Sequence, residues 1–153
     1  MVDITDIAEH ILAQAGSVAT MKLQKLVYYS QVRHIIAYNE PLFANRIEAW
    51  RNGPVVPDLY KLHSGRYIIS EGYFNKNATC CKLSACSRNA IDKAVEIFGD
   101  KAGDKLREIT HSEKPWIDAR GDCKPSDSCN AEITVEAIRE YYTSSECTNP
   151  IVQ

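Results

Sequence analysis

The stretch MKLQKLVYYSQVRHIIAY, residues 21–38, decides the fold of this 153-residue chain. Its apolar side chains recur at helical spacing and cover most of the circumference of a helix, a pattern typical of a helix packed on several sides. These side chains are Leu23, Leu26, Val27, Tyr28, Tyr29, Val32, Ile35 and Ile36. We therefore predict that residues 21–38 form the central helix of the core.

Amphipathic helices are predicted before and after this central helix, because apolar residues recur on one face of each. Asp3 can cap the first of them, Ser84 or Ser87 the second, and Thr134 the last. The predicted ranges are 4–15, 84–99, 102–109 and 134–142.

The region after the central helix has a different pattern. The side chains of residues 42–50 follow the alternating pattern of a short extended segment. The residues Asn52-Gly53-Pro54 that come next are typical of a turn. Pro57 can open a short helix that ends near Ser64-Gly65. Two further stretches, Tyr67-Ile68-Ile69 and Tyr73-Phe74, have the composition of short strands.

Together these patterns predict a mainly α fold. We expect residues 1–153 to form a single compact helical domain of about six helices, with a small extended or β element after the second helix. The loop at 120–130 is rich in Gly, Asp, Ser, Pro and Cys, so we expect it at the surface.

Composition narrows the classes of function. Hydrophobic residues make up 44% and charged residues 25%, as in ordinary globular proteins. The net charge of −2 leaves no basic stripe to attract a phosphate backbone, so nucleic-acid binding is not expected. The N-terminus is acidic where a signal peptide would be basic, and no apolar run is long enough to span a bilayer. We therefore expect a cytoplasmic protein with no membrane partner.

Six cysteines, all in the second half of the chain, are the compositional exception. No export signal favours disulfides, and the cysteine spacings do not match the usual paired zinc ligands. A Cys/His metal-binding protein that uses His63 or His111 stays an alternative, although no metal or other cofactor is expected. The cysteines are Cys80, Cys81, Cys86, Cys123, Cys129 and Cys147.

His111 and Glu113, close to Trp116, invite an acid–base interpretation, since histidine is the usual general acid or base. No recognisable nucleophile motif, phosphate-cradling glycine loop or zinc-binding helix accompanies them. We instead expect a helix end at 110–116, where Pro115 stops the helix, Trp116 packs on the core, and His111 or Glu113 satisfies exposed backbone groups. The sequence therefore predicts a protein that is not an enzyme.

Three blocks, in order, resemble a known family: 21–31, then 41–57, then 110–116 with Arg120. They are similar to the Panacea domain of SocA-like antitoxins, a family that also contains phage-associated proteins. The resemblance implies a helical module that neutralises a cognate protein toxin by direct binding, in some members as an adaptor to a host protease. A phage or mobile-element protein that blocks a host factor is the alternative.

The family blocks are expected to be mostly structural, with Gln24 bonding the turn at Gly53-Pro54. Partner contacts are expected from exposed aromatic and arginine side chains, which supply most interface hot spots. The candidate contacts are Tyr60, Tyr67, Tyr73, Phe74 and Arg120. The residues expected to be structural are Gln24, Lys25, Tyr28, Glu48, Trp50, Gly53, Pro54, Pro57, His111, Pro115 and Trp116.

Overall fold

The computed structural model describes residues 2–75 and 82–153, and over these ranges the chain is mainly α-helical. The elements in chain order are α1 (Ile4–Ala15), β1 (Ser17–Ala19), α2 (Thr20–Tyr38), β2 (Glu48–Trp50), β3 (Gly53–Val55), α3 (Pro57–His63), β4 (Ile68–Ser70), α4 (Ala85–Phe98), α5 (Gly103–His111), α6 (Lys114–Arg120) and α7 (Val135–Tyr142), followed by a 3-10 turn at Pro150–Val152. The predicted fold class, mainly α with a small β element, is confirmed.

The central helix α2 is buried along most of its length, because other elements pack around it on several sides. Helices α1, α4, α5 and α7 all contact it. Tyr29 stacks on Phe98 of α4, with ring centroids 4.4 Å apart, and Tyr28 meets Tyr142 of α7 edge to face. These contacts explain why apolar residues cover nearly the whole circumference of α2.

Two small antiparallel sheets flank α2. In one, β1 pairs with β4, so that Val18 faces Ile69; the sequence patterns had indicated β4 but not β1. In the other, β2 and β3 form a hairpin with Ala49 opposite Pro54. Proline lacks a backbone donor and is tolerated only at the edge of such a ladder, which is where β3 lies.

The predicted helix caps lie where the sequence placed them. The side chains of Asp3, Ser84 and Thr134 each accept a hydrogen bond from a backbone N–H in the first turn of the following helix. Each cap satisfies a donor that a helix end would otherwise leave without a partner.

The expectation for Pro115 is wrong. Helix α5 ends at His111, and Pro115 lies in the first turn of a separate helix, α6. A proline suits this position because the first turn needs no backbone donor and the ring fixes φ at a helical value. The pair Tyr73-Phe74 also lies outside any strand. None of the helices described is both long and apolar enough to cross a bilayer.

A turn at Gly53 holds the hairpin against α2. Gly53 has φ of +113°, a backbone conformation that side chains disfavour. A Cβ added there would collide with Cε of Lys25 and lie 3.0 Å from Oγ1 of Thr110. The position therefore requires glycine for both backbone and packing reasons.

We predict that Gly53→Ala lowers the free energy of unfolding by about 2 kcal/mol or more, since it adds backbone strain to a steric clash. Urea denaturation monitored by circular dichroism measures the loss. Gly65→Ala is the matched control, because Gly65 also has positive φ but nothing lies within 4 Å of its added Cβ. Equal losses in the two variants would show that contact with α2 does not matter.

Candidate functional site

A cleft of about 850 Å³ opens beside the hairpin, and we call it the hairpin cleft. Its walls are the N-terminal part of α2, the β2–β3 hairpin, α3 and the loop at 128–130. Many of the residues singled out by the family blocks line it. The lining residues are Thr20, Met21, Gln24, Lys25, Glu48, Trp50, Arg51, Asn52, Val55, Tyr60, His63, Ser128, Cys129 and Asn130.

Gln24 ties α2 to the start of α3. Its Oε1 accepts a hydrogen bond from the backbone N–H of Val56 at 2.9 Å, and its Nε2 lies 2.9 Å from Nε2 of His63. The sequence predicted a bond from Gln24 to the turn at Gly53-Pro54, and the bond is made just after that turn. Gln24 lines the cleft, yet it is buried and its amide bonds within the chain.

Lys25 makes the bond to the turn instead. Its side chain is 0% exposed, and Nζ donates to the carbonyl oxygen of Pro54 at 3.1 Å. Burial of the ammonium group, with a smaller contribution from the nearby charge of Arg107, lowers the pKa of Lys25 to about 7. No carboxylate among the described residues forms an ion pair with it.

Glu48 and Trp50 form one wall of the cleft. Oε1 of Glu48 accepts from the Trp50 indole N–H at 2.8 Å, while Oε2 accepts from Nε of Arg46 at 2.8 Å. The Trp50 ring packs edge to face on Tyr60, with centroids 4.8 Å apart. Hydrogen bonds among these side chains therefore fix this wall. Tyr60, which packs on it, is partly exposed at the protein surface.

The third family block supports the hairpin from the opposite side. Trp116 donates its indole N–H to the carbonyl of Trp50 at 2.8 Å, and Arg120 donates from Nη1 to the carbonyl of Ala49 at 2.9 Å. Arg120 also lies over the Trp116 ring, 4.9 Å from its centroid. Arg120 is buried, so the expectation that it contacts a partner has no support; its guanidinium is used within the chain.

His111 and Glu113 do not form an acid–base pair. The His111 ring stacks on Trp116 at 3.8 Å, and its pKa is lowered to about 4 by burial and by the charges of Arg107, Lys25 and Arg120. Glu113 instead accepts hydrogen bonds from three other buried side chains, and burial raises its pKa. Those donors are Tyr29 at 2.6 Å, Tyr142 at 2.7 Å and Asn149 at 2.8 Å.

Of the two side chains expected to satisfy backbone groups, Glu113 accepts from side chains instead, whereas His111 hydrogen-bonds the backbone of Arg51. No local pattern in the sequence connects Asn149 to Glu113. Within residues 2–75 and 82–153, no group of three or more histidine, cysteine or acidic side chains is arranged to hold a metal ion. Cys80 and Cys81 lie outside the described residues.

Exposed large apolar side chains are concentrated within residues 60–73, which include the cleft residue Tyr60, and we call this segment's exposed side the 60–73 surface. Five of the seven large hydrophobic side chains exposed among the described residues belong to it. They are Tyr60 (38% exposed), Leu62 (49%), Tyr67 (78%), Ile68 (56%) and Tyr73 (38%). The Tyr73 hydroxyl donates to the carbonyl of Leu62 at 3.0 Å, which joins the two ends of the surface.

Phe74 is less exposed than the members of this surface, although its ring meets that of Tyr73 edge to face with centroids 5.1 Å apart. It is partly buried against the core, unlike its neighbour Tyr73, and the backbone N–H of Phe74 donates to Oε2 of the buried Glu9 at 2.9 Å. Of the five side chains expected to contact a partner, the structure therefore exposes three: Tyr60, Tyr67 and Tyr73.

We predict that the cost of burying Lys25 depends on pH. Below pH 7 the folded and unfolded chains both carry this proton, whereas between pH 7 and about 10 only the unfolded chain does, so stability rises with pH in that window. The free energy of unfolding of the native chain should rise by about 2 kcal/mol from pH 7 to pH 9 relative to Lys25→Met.

Chemical denaturation of both proteins across this pH range measures that difference. Subtracting the variant removes the contributions of other titrating groups, including the cysteines. Lys101→Met, at a half-buried lysine in another part of the chain, is the control and should leave the pH profile unchanged. Parallel profiles for the native chain and Lys25→Met would contradict the prediction.

Comparison with known proteins gives the family. The sequence model of the antitoxin SocA-like, Panacea domain family matches residues 23–117. The chain is 33% identical over 129 residues to Antitoxin SocA of Caulobacter vibrioides (strain NA1000 / CB15N), which covers 75% of this chain and 69% of the relative. No solved structure matches the chain. The chain therefore belongs to the SocA-like antitoxin, Panacea domain family.

Proposed function

We propose that this protein is an antitoxin that neutralises a cognate toxin by binding it directly through the 60–73 surface. Its similarity to Antitoxin SocA supports the antitoxin role. We choose this surface because five exposed large apolar side chains are concentrated within residues 60–73. Apolar side chains grouped in this way mark interaction sites more often than isolated ones do.

The chemistry of the surface suits a protein partner. Tyrosine combines a large apolar ring with a hydroxyl that can form hydrogen bonds, and it is enriched among residues that dominate binding energy. Arg66 lies over the Tyr73 ring at 5.8 Å, so a cation sits beside the apolar patch. A toxin that buries this surface would gain apolar contact at its centre and polar contacts at its edge.

The hairpin cleft extends the proposed contact region. Tyr60 belongs both to the cleft wall and to the 60–73 surface, so a partner side chain that enters the cleft would contact residues of both. The cleft volume of about 850 Å³ is within the range of pockets that hold small ligands or single anchoring groups. We infer that the cleft receives a projecting part of the toxin.

The hydrogen bonds within the family blocks suit a protein that binds a partner and does not catalyse a reaction. The polar side chains of those blocks are buried and bonded within the chain: Gln24 to Val56, Lys25 to Pro54, and Trp116 to Trp50. A catalytic group has to present a reactive atom to a substrate in the correct protonation state. The bonding of these side chains instead fits a scaffold that positions a contact surface.

We predict that the double substitution Tyr67→Ser with Ile68→Ser weakens toxin binding at least 30-fold, because it removes the two most exposed apolar side chains of the surface. Products of neighbouring genes are first expressed alone, and one that proves toxic serves as the partner in the binding test. Isothermal titration calorimetry measures affinity, and co-expression measures rescue of growth.

Two exposed apolar residues outside the surface supply the matched control. Tyr38→Ser with Ile117→Ser removes similar side chains, which are 36% and 44% exposed, and should change affinity less than twofold. Both double variants should keep the thermal midpoint of the native chain within a few degrees, since neither empties the core. Equal binding by all three proteins would refute the proposed surface.

A further inference from the structure

The hairpin cleft is lined by more positive than negative charge. A lysine and an arginine, Lys25 and Arg51, and one carboxylate, Glu48, lie among the described residues that line it. Both carboxylate oxygens of Glu48 already accept hydrogen bonds, Oε1 from Trp50 and Oε2 from Arg46, which forms an ion pair with Glu48. Arg46 does not line the cleft, so it neutralises Glu48 from outside and leaves Lys25 and Arg51 uncompensated.

Lys25 brings a buried charge to the cleft. Its ammonium group has three N–H donors, of which one bonds the carbonyl oxygen of Pro54 at 3.1 Å. It forms no ion pair with any carboxylate within residues 2–75 and 82–153. Lys25 lines the cleft but is 0% exposed, and a buried charge without a counter-ion costs free energy. An anion held in the cleft would reduce that cost.

Arg51 supplies a charge that a partner can touch. It lies in the turn between β2 and β3, its side chain is exposed, and it takes part in none of the ion pairs among the described residues. A guanidinium group binds a carboxylate through two parallel hydrogen bonds. Asn52 and Asn130 also line the cleft and are exposed, so their amide groups add hydrogen-bond donors at its rim.

We propose that the hairpin cleft binds an aspartate or glutamate side chain of the toxin, with Arg51 as its direct ligand and Lys25 as a buried charge that favours the anion. This inference rests on the proposed function, in which a projecting part of the toxin enters the cleft. Charge complementarity selects the occupant. A neutral or basic side chain would leave both cations of the cleft without a counter-ion, whereas a carboxylate compensates them.

The remaining lining suits the stem of an acidic side chain. Met21, Val55 and the Trp50 ring supply apolar surface within the cleft. The methylene groups of an aspartate or glutamate can pack on such surface while the carboxylate reaches the guanidinium of Arg51. The cleft volume of about 850 Å³ is larger than one side chain, so residues that flank the acid in the toxin can enter as well.

Lys25 keeps its structural bond in this account. Its ammonium group stays on the carbonyl of Pro54 and acts on the toxin carboxylate through its charge. Attraction between charges is stronger across a protein wall of low dielectric than across water. The carboxylate in turn favours the charged form of Lys25, whose pKa is lowered to about 7 by burial. One lysine can therefore hold the hairpin and select an anion.

The first test uses the chain alone, with the capped amino acids acetyl-Glu-amide and acetyl-Gln-amide as probes. The two probes have nearly the same shape, and at about pH 6 the first carries a carboxylate while Lys25 carries its proton. Backbone amide shifts in NMR titrations measure their affinities. We expect the native chain to bind the Glu probe at least fivefold more tightly than the Gln probe, with the largest shifts at residues 50–56 and 128–130.

Variants assign that preference to the two cations. Arg51→Gln changes an exposed side chain and leaves the core intact, and Lys25→Met keeps an apolar stem of similar length; each should lower the preference to less than twofold. Lys101→Met, outside the cleft lining, is the control and should bind as the native chain does. Equal affinity of the native chain for the two probes, no binding of the Glu probe, or a full preference in Arg51→Gln would overturn the inference.

The second test uses the toxin that the co-expression experiment identifies. Each of its Asp and Glu residues is changed to Asn or Gln and combined with Arg51→Gln in a double-mutant cycle. We expect one acidic residue whose single change weakens binding at least tenfold and adds nothing to the loss in Arg51→Gln. A toxin that binds without any acid coupled to Arg51 would overturn this inference and leave the proposed function standing. Binding of the Glu probe without any toxin that binds would contradict the proposed function instead.

Discussion

The hydrogen bonds from α2 to the backbone around Gly53 are the interactions on which the rest of this structure depends. Lys25 places a buried ammonium group on the carbonyl of Pro54, and Gln24 binds the backbone N–H of Val56. Burying a lysine without a carboxylate partner costs folding free energy, so this contact lowers the stability of the chain. The contact fixes the hairpin against the central helix, and the hairpin forms one side of the cleft.

The third family block completes this arrangement from the other side of the hairpin. Trp116 and Arg120 of α6 bind the carbonyls of Trp50 and Ala49, so β2 is held by α6 and the turn after it by α2. The three blocks are thus distant in sequence but meet at one hairpin. All three blocks contribute contacts to this hairpin, which forms one side of the cleft.

Local patterns predicted the central helix, the hairpin turn and the helix caps, because periodicity and capping depend on neighbouring residues. The expectation that Pro115 ends a helix was wrong, because the sequence alone does not distinguish a proline that begins a helix from one that follows its end. Phe74 and Tyr73 could not be separated either, because only packing between elements decides which aromatic ring is buried. The burial of Arg120 could not be predicted either, because its hydrogen-bond partners are backbone carbonyls, which leave no signal in a sequence.

Hydrogen–deuterium exchange of the chain, alone and in complex with its toxin, tests most directly whether the family blocks are scaffold and the 60–73 surface is the contact. Amide exchange reports local opening and burial along the backbone. We expect toxin to slow exchange at least tenfold within residues 60–73 and at the cleft rim, while exchange in α6 is unchanged. Protection confined to α6 and the β2–β3 hairpin, with none in residues 60–73, would contradict it.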